Sequence, residues 1–112
     1  MKLPNGERAV VDIAKLRDYS LNPAHPEGKH KARVFASSLG FTISDADRLR
    51  EIILSNVLQQ EATQGRADAH GTRYTVDFDA QGLRDTVTIR TAWIIDTGET
   101  VARLVSCYVK RK

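Results

Sequence analysis

The feature that most constrains this chain is a change in the spacing of its apolar residues. Before Gln60 they recur every three to four residues, as on the buried face of a helix. From Tyr74 onward they alternate with polar residues, as on a strand with one buried face. Helices followed by a run of strands are typical of an α+β domain, in which the helices pack on one face of the sheet. The other face can stay in water.

The first part of the chain predicts a short strand and a short helix. Ala9–Val11 is long enough only for an edge strand. Asp12 is a suitable N-cap for a helix of two turns, whose apolar stripe is Ile13, Leu16 and Tyr19. Asn22-Pro23 should end this helix, because the residue before a proline is pushed out of the α region.

Two further helices are expected before Gln60. One runs from about Pro26 to Leu39 and ends at a glycine cap, Gly40. The next begins with Ser44 as its cap, since aspartates follow where the helix dipole favours them, and it fades near Gln60. The polar stretch Glu61–Gly71 then predicts a connection.

Three strands in a meander are predicted for the second half, within a sheet of three to four strands. Tyr74, Val76 and Phe78 alternate with polar residues in the first, and Thr86–Ile95 forms the second. Asp96–Glu99 is a hairpin turn signal. Val101–Val109 is the third strand. Its predicted faces are Leu104, Ser106 and Tyr108 on one side, and Arg103, Val105, Cys107 and Val109 on the other.

Composition limits the class of protein. A chain of 112 residues fits a single domain, residues 1–112, and its one cysteine suits a reducing cytosol, so a cytoplasmic location is expected. No apolar run is long enough to cross a bilayer, so no membrane role is expected, and the first seven residues contain no apolar stretch, so no secretory leader is expected either. The net charge of +3 is a mild indication of nucleic acid. The basic tail Lys110–Lys112 is interpreted as a solvated terminus.

Several kinds of chemistry have no sequence signal. The three histidines and Cys107 show no metal-ligand spacing, and the glycines match no nucleotide-binding loop, so neither a metal nor a cofactor is expected. Ser37-Ser38 lies inside a predicted helix rather than on a nucleophile elbow. Cys107, within an apolar strand, is interpreted as a small core residue.

The remaining candidate is a basic helix beside a polar sheet surface. Lys29, His30, Lys31 and Arg33 place four basic groups in five positions. A histidine can exchange a proton near neutral pH, and arginine and lysine can hold a phosphate. These are parts of metal-independent RNA cleavage, in which the 2′-OH of the RNA is the nucleophile. The candidate catalytic residues are His30, Arg33, Arg90, Tyr108 and Ser106, and the candidate substrate-binding residues are Lys29, Lys31 and Arg73.

Each of these residues also has a purely structural interpretation. His30, Lys29 and Lys31 can be ordinary solvated helix residues, and a buried His30 would make the cluster part of the scaffold. Arg90 can form a cross-strand ion pair with Asp77 or Asp79. Trp93 and Tyr74 are expected in the core, and the Tyr108 hydroxyl must find a partner or water.

One segment carries a resemblance. Leu21–Phe35, which follows the pattern LNPxHPxGKHKARVF, resembles a family of small bacterial domains of unknown function. Tyr74–Asp77, Thr91–Ile95 and Ser106–Tyr108 are similar to the same family, so the likeness covers nearly the whole chain. Members occur free-standing or at the C-terminus of toxin-like proteins, which implies a toxin and a small cognate antitoxin or immunity protein as partner. The helix-then-sheet order is also similar to the barnase–EndoU–colicin–RelE class of ribonuclease toxins.

The leading hypothesis is therefore a toxin-like, metal-independent endoribonuclease. His30 would be its acid or base, Arg33 and Arg90 would stabilise the phosphate, and Lys29 would bind it. Two alternatives stay open: a non-catalytic module that binds nucleic acid or a protein, and an obligate oligomer that pairs through an exposed strand edge.

Overall fold

The computed structural model describes residues 1–110, and its architecture is α+β as predicted. Within these residues a four-stranded antiparallel sheet has the simple order β1-β2-β3-β4. Its strands are β1 (Ala62–Asp68), β2 (Gly71–Gln81), β3 (Thr86–Asp96) and β4 (Arg103–Lys110). The interpretation of Arg111 and Lys112 as a solvated tail lies outside the described residues.

The helices precede the sheet in the chain. They are α1 (Ile13–Lys15), which continues as a π-helical segment over Leu16–Ser20, then α2 (Lys29–Leu39) and α3 (Ala46–Val57). Short 3₁₀ turns cover Gly6–Arg8 and Ile43–Asp45. No helix within residues 1–110 has the length and apolar character needed to cross a membrane.

Two predicted helix caps are confirmed. The Asp12 carboxylate accepts a hydrogen bond from the Ala14 backbone N–H, 3.0 Å away. Gly40 ends α2 with φ at 73°, a conformation that costs glycine little. Its own N–H and that of Phe41 donate to the carbonyls of Ala36 and Phe35, which satisfies two otherwise unpaired carbonyls at the helix end.

Other predicted helix boundaries need correction. Helix α2 begins at Lys29 rather than Pro26, because residues 26–28 form a turn that leads into the helix at Gly28. The cap of the next helical segment is Thr42, not Ser44: Thr42 and Asp45 form a capping box around the 3₁₀ turn that leads into α3. The proposed strand at Ala9–Val11 is reduced to a single parallel bridge between Val10 and Arg103.

The segment predicted as a connection, Glu61–Gly71, contains strand β1. It pairs with β2 on one side only, and Thr63 to Asp68 are all exposed. An exposed edge strand has no buried face, so it lacks the alternation by which the other strands are recognised. Its register also shifts between Gln64 and Ala67, and such an irregularity at an edge discourages pairing with another chain.

The predicted faces of β4 are wrong at one end. Ala92 pairs with Ser106 but Trp93 pairs with Leu104, so Val105 is an extra residue in β4. This β-bulge shifts the side-chain alternation by one position. As a result Leu104, Cys107 and Val109 all face the core, while Val105 is 43% exposed.

The core lies between the helices and one face of the sheet. Trp93, Ile89 and Val76 form its sheet side, and Phe35, Leu49 and Ile53 come from the helices, all of them fully buried. Tyr74 is also in the core, as expected. The Trp93 indole N–H donates to the Thr91 hydroxyl at 2.8 Å, and that hydroxyl donates to the Val76 carbonyl at 2.7 Å. The buried polar groups here are therefore paired, which avoids the cost of leaving them unsatisfied.

Candidate functional site

The loop before α2 is organised by Asn22. Its side-chain oxygen accepts a hydrogen bond from the Ala24 N–H at 2.9 Å, which forms an Asx turn. Its amide nitrogen donates to the Asp18 carbonyl at 3.2 Å, near the end of the preceding helical segment. Asn22 thereby ties the start of the loop to the chain that comes before it.

His25 binds the turn that precedes helix α2 through its ring. The Nδ1 atom accepts hydrogen bonds from the backbone N–H groups of Glu27 and Gly28, both at 3.0 Å. Because backbone N–H groups can only donate, Nδ1 carries no proton in this arrangement. The ring also packs edge-on against Tyr19, with 4.7 Å between the ring centroids. His25 therefore joins the helix start to the π-helical segment.

Gly28 lies close to the π-helical segment. A Cβ atom at this position would lie 2.2 Å from the carbonyl oxygen of Tyr19, so any side chain would force the backbones apart. The backbone at Gly28 has φ at −79°, so the glycine is required here by space rather than by conformation.

The four residues of the predicted basic cluster all lie on the first half of α2. Lys29, His30 and Arg33 are exposed, whereas Lys31 is half-buried. The Lys31 ammonium lies 5.0 Å from the centroid of the Tyr19 ring and 5.6 Å from that of Tyr108, so it makes cation–π contacts with both. Among residues 1–110, no carboxylate forms an ion pair with any of these four side chains.

Three of the predicted catalytic residues meet in a shallow depression between α2 and β4. This α2–β4 depression has a volume of about 340 Å³ and is lined by His30, Lys31, Arg33, Val34, Tyr108 and Val109. A second depression of about 330 Å³ lies at Tyr19, His25 and Val105. Since Lys31 contacts both Tyr19 and Tyr108, it stands between the two depressions.

Arg90 lies on the sheet face that points away from the core, where it is bound to Asp77. Both its Nε and its terminal nitrogen donate to the Asp77 carboxylate at 2.9 Å, so the cross-strand ion pair is confirmed. The Lys110 ammonium is 3.7 Å from the same carboxylate. The hydrogen bonds from Arg90 lower the pKa of Asp77, and the Asp77 bond in turn raises the pKa of Arg90.

The remaining predicted site residues, Ser106 and Arg73, lie further along the sheet. Tyr108 pairs with Arg90 across the strands and Ser106 pairs with Ala92, so Ser106 is one step further along the same outer face. Arg73 pairs with Ile94 and donates to Asp68 at 3.0 Å. Ile94 is four residues from Arg90 on β3, which places Arg73 roughly 13 Å along the strands from the Arg90 row.

The buried thiol is unsuited to nucleophilic chemistry. Burial raises the pKa of Cys107 to about 12, so the thiolate is scarce at neutral pH. Within residues 1–110 no group of three or more histidine, cysteine and carboxylate side chains is arranged to hold a metal ion.

The sequence interpretation missed His25 and Tyr19 as organising residues, whereas Asp77 was one of the two expected partners of Arg90. Signals for His25 and Tyr19 were present. Asn22-Pro23 and Pro26 bracket His25, and such a turn-rich segment often needs a side chain to bind its free backbone groups. Gly28 just before a run of helix-forming residues pointed to a close backbone approach.

We expect His25→Ala to lower the free energy of unfolding by roughly 1–2 kcal/mol, because two backbone N–H groups in the turn before α2 lose their acceptor. Urea denaturation followed by tryptophan fluorescence measures this. His30→Ala is the matched control: its side chain is exposed, so its effect should stay within about 0.5 kcal/mol. Equal stability of the two variants would contradict the role of the His25 ring as the acceptor in this turn.

The Asp77–Arg90 pair predicts a dependence of stability on pH. A carboxylate whose pKa is lower in the folded state stabilises the fold above its unfolded pKa of about 3.9. This contribution is lost as the pH falls through the lowered value. Asp77→Asn should therefore be less stable than the parent at pH 7, by roughly 1 kcal/mol or less since both side chains are partly solvated.

Urea titrations of parent and Asp77→Asn proteins from pH 7 to pH 2 should show this difference shrinking toward zero at the acid end. Asp85→Asn is the control, because Asp85 is exposed. A difference that stays constant over the whole pH range would show that the carboxylate charge does not contribute.

Comparison with known proteins gives one match. A family model described as a domain of unknown function (DUF6883) matches residues 2–111. No curated protein and no solved structure matches the chain.

Proposed function

Since the chain belongs to the DUF6883 family, a domain of unknown function, we propose a function from the properties of the chain's own surface. The protein binds single-stranded RNA along the α2–β4 depression. The observation that carries this proposal is the position of Lys31 between the rings of Tyr19 and Tyr108. Cations interleaved with aromatic rings are the common chemistry of single-strand binding, in which bases stack and phosphates meet positive charge.

The charges around this position support an anionic ligand. Lys29, His30 and Arg33 lie on the first two turns of α2 and are exposed. Their side chains can follow a phosphate backbone while the rings of Tyr19 and Tyr108 offer half-buried surfaces to bases. A single strand suits this surface better than a duplex, whose bases are already stacked on one another.

The affinity for RNA should fall as the salt concentration rises, and Lys29, Lys31 and Arg33 should determine how steeply it falls. With a labelled single-stranded RNA, fluorescence anisotropy gives the dissociation constant at several salt concentrations. Each phosphate contact contributes a slope of roughly −0.7 in log K against log salt. The triple variant Lys29→Ala, Lys31→Ala and Arg33→Ala should bind more weakly and lose roughly two units of that slope.

A charge-matched control separates a defined site from general attraction. Arg8→Ala, Arg50→Ala and Arg84→Ala also remove three positive charges from a chain of net charge +3, at exposed positions outside the depression. This control should keep the parent slope within about one unit. If the two triple variants lose the same amount of salt slope, the proposed site is contradicted. A parent protein that shows no salt-dependent RNA binding would contradict it as well.

Metal-independent cleavage of the bound RNA is the second candidate function. The observation in its favour is that His30, Arg33 and Tyr108 line the same depression. His30 would take the proton of a 2′-OH as that oxygen attacks the adjacent phosphorus and forms a 2′,3′-cyclic phosphate, and the leaving 5′ oxygen would take a proton from water. Arg33 would stabilise the charge on the phosphate, with the Tyr108 hydroxyl as a donor.

Arg90 contributes less to this candidate, because its guanidinium is already held by Asp77 at two points. An RNA-directed role would place the protein in the cytoplasm. In a toxin, a small antitoxin or immunity protein would have to cover the exposed start of α2, since the groups that meet RNA lie there.

Incubation of labelled RNA with the protein in EDTA tests cleavage. The parent should cut the RNA, His30→Ala should cut it at least roughly a hundredfold more slowly, and His70→Ala should match the parent because His70 lies in the β1–β2 turn. If the parent binds the RNA but does not cut it, the catalytic function is contradicted and the binding function still stands.

A further inference from the structure

A second groove, which shares Arg33 with the α2–β4 depression, runs along the neighbouring side of α2. It has a volume of about 410 Å³, within the range of small-molecule sites. Leu21, Ala32 and Phe41 form its buried apolar floor. Ala36 and Ile43 are exposed at its rim, and Ile43 is 41% accessible. The floor and rim together can accept an apolar body a few carbon atoms wide.

The charged side chains at this groove have one sign. Lys29 and Arg33, one helical turn apart, are the two charged residues among those that line it. A third cation, Arg48, contacts the Phe41 residue of the floor, with its guanidinium carbon 5.4 Å from the centroid of the Phe41 ring. The groove thus combines an apolar floor with a positive rim.

We propose that this groove binds a small amphipathic carboxylate, a ligand with an apolar body and one anionic head group. The apolar body lies on Leu21, Ala32 and Phe41, and the carboxylate meets Arg33 and Lys29. A guanidinium matches a carboxylate with two parallel hydrogen bonds, and Lys29 adds a second positive charge. RNA does not meet this description, because its phosphates carry no apolar body, so the site is additional to the proposed function.

Octanoate is a suitable probe, with octylammonium and octan-1-ol as partners of equal chain length and different charge. Titrated into isotopically labelled protein, octanoate should produce saturable NMR shifts at Ala32, Ala36 and Phe41. Octylammonium should bind roughly tenfold more weakly or worse, because it places a cation beside Lys29 and Arg33. Arg33→Gln should remove most of this preference between the two probes.

Ala36→Leu fills the groove without changing any charge. It should abolish octanoate binding and leave the salt dependence of RNA binding unchanged, which separates this site from the α2–β4 depression. Ile43→Ser, on the opposite rim, should weaken octanoate binding severalfold and serves if Ala36→Leu does not fold. The proposal is overturned if octanoate causes no shifts in the groove, if octylammonium or octanol binds there as well as octanoate, or if Ala36→Leu binds octanoate normally.

Discussion

The contact on which the basic surface depends is the approach of Gly28 to the Tyr19 carbonyl. It brings the end of the π-helical segment against the start of α2, and His25 binds the backbone N–H groups of Glu27 and Gly28 in the turn between them. With that junction fixed, Lys31 reaches Tyr19 on one side and Tyr108 on the other. The segment that looks most like a functional motif is thus first a structural joint, and the same joint sets the direction of the cationic side chains.

The sheet also holds residues of this surface in place. Its inner face fixes the core through Trp93, Thr91 and Val76, whose polar atoms satisfy one another. Its outer face carries the Asp77–Arg90 pair beside Tyr108. Tyr108 therefore belongs to both surfaces, since its ring meets Lys31 at the sheet edge and its strand partner is Arg90 on the open face. This double position makes it the link between the helix and the sheet.

The sequence predicted the architecture because the apolar spacing changes once and clearly. It predicted the Asp12 and Gly40 caps, the core positions of Trp93 and Tyr74 and the partner of Arg90, since each depends on local chemistry or on strand register. Strand β1 was missed because a solvated edge strand needs no apolar alternation. The faces of β4 were misassigned because a bulge at Val105 interrupts a period that sequence reading takes as constant.

The candidate site was predictable in its residues but not in their grouping. Four basic groups on one helix segment are visible in the sequence, yet their neighbours come from β4 and from the loop before α2. That Lys31 points toward two rings while Lys29 turns toward an apolar groove depends on how α2 lies against the edge of the sheet. Long-range packing of this kind leaves no local pattern, so Arg90 and Arg73 could not be separated in advance from His30 and Arg33.

The position of Trp93 has a practical consequence for optical work on this protein. It is the chain's single tryptophan, it is fully buried, and its indole N–H is bound to Thr91. Its emission therefore reports on the middle of the sheet, while the basic start of α2 contains no indole. Ligands that occupy the surface without disturbing the sheet should be invisible to it. A change in emission on binding would instead mean that the event at the helix had been transmitted to the core.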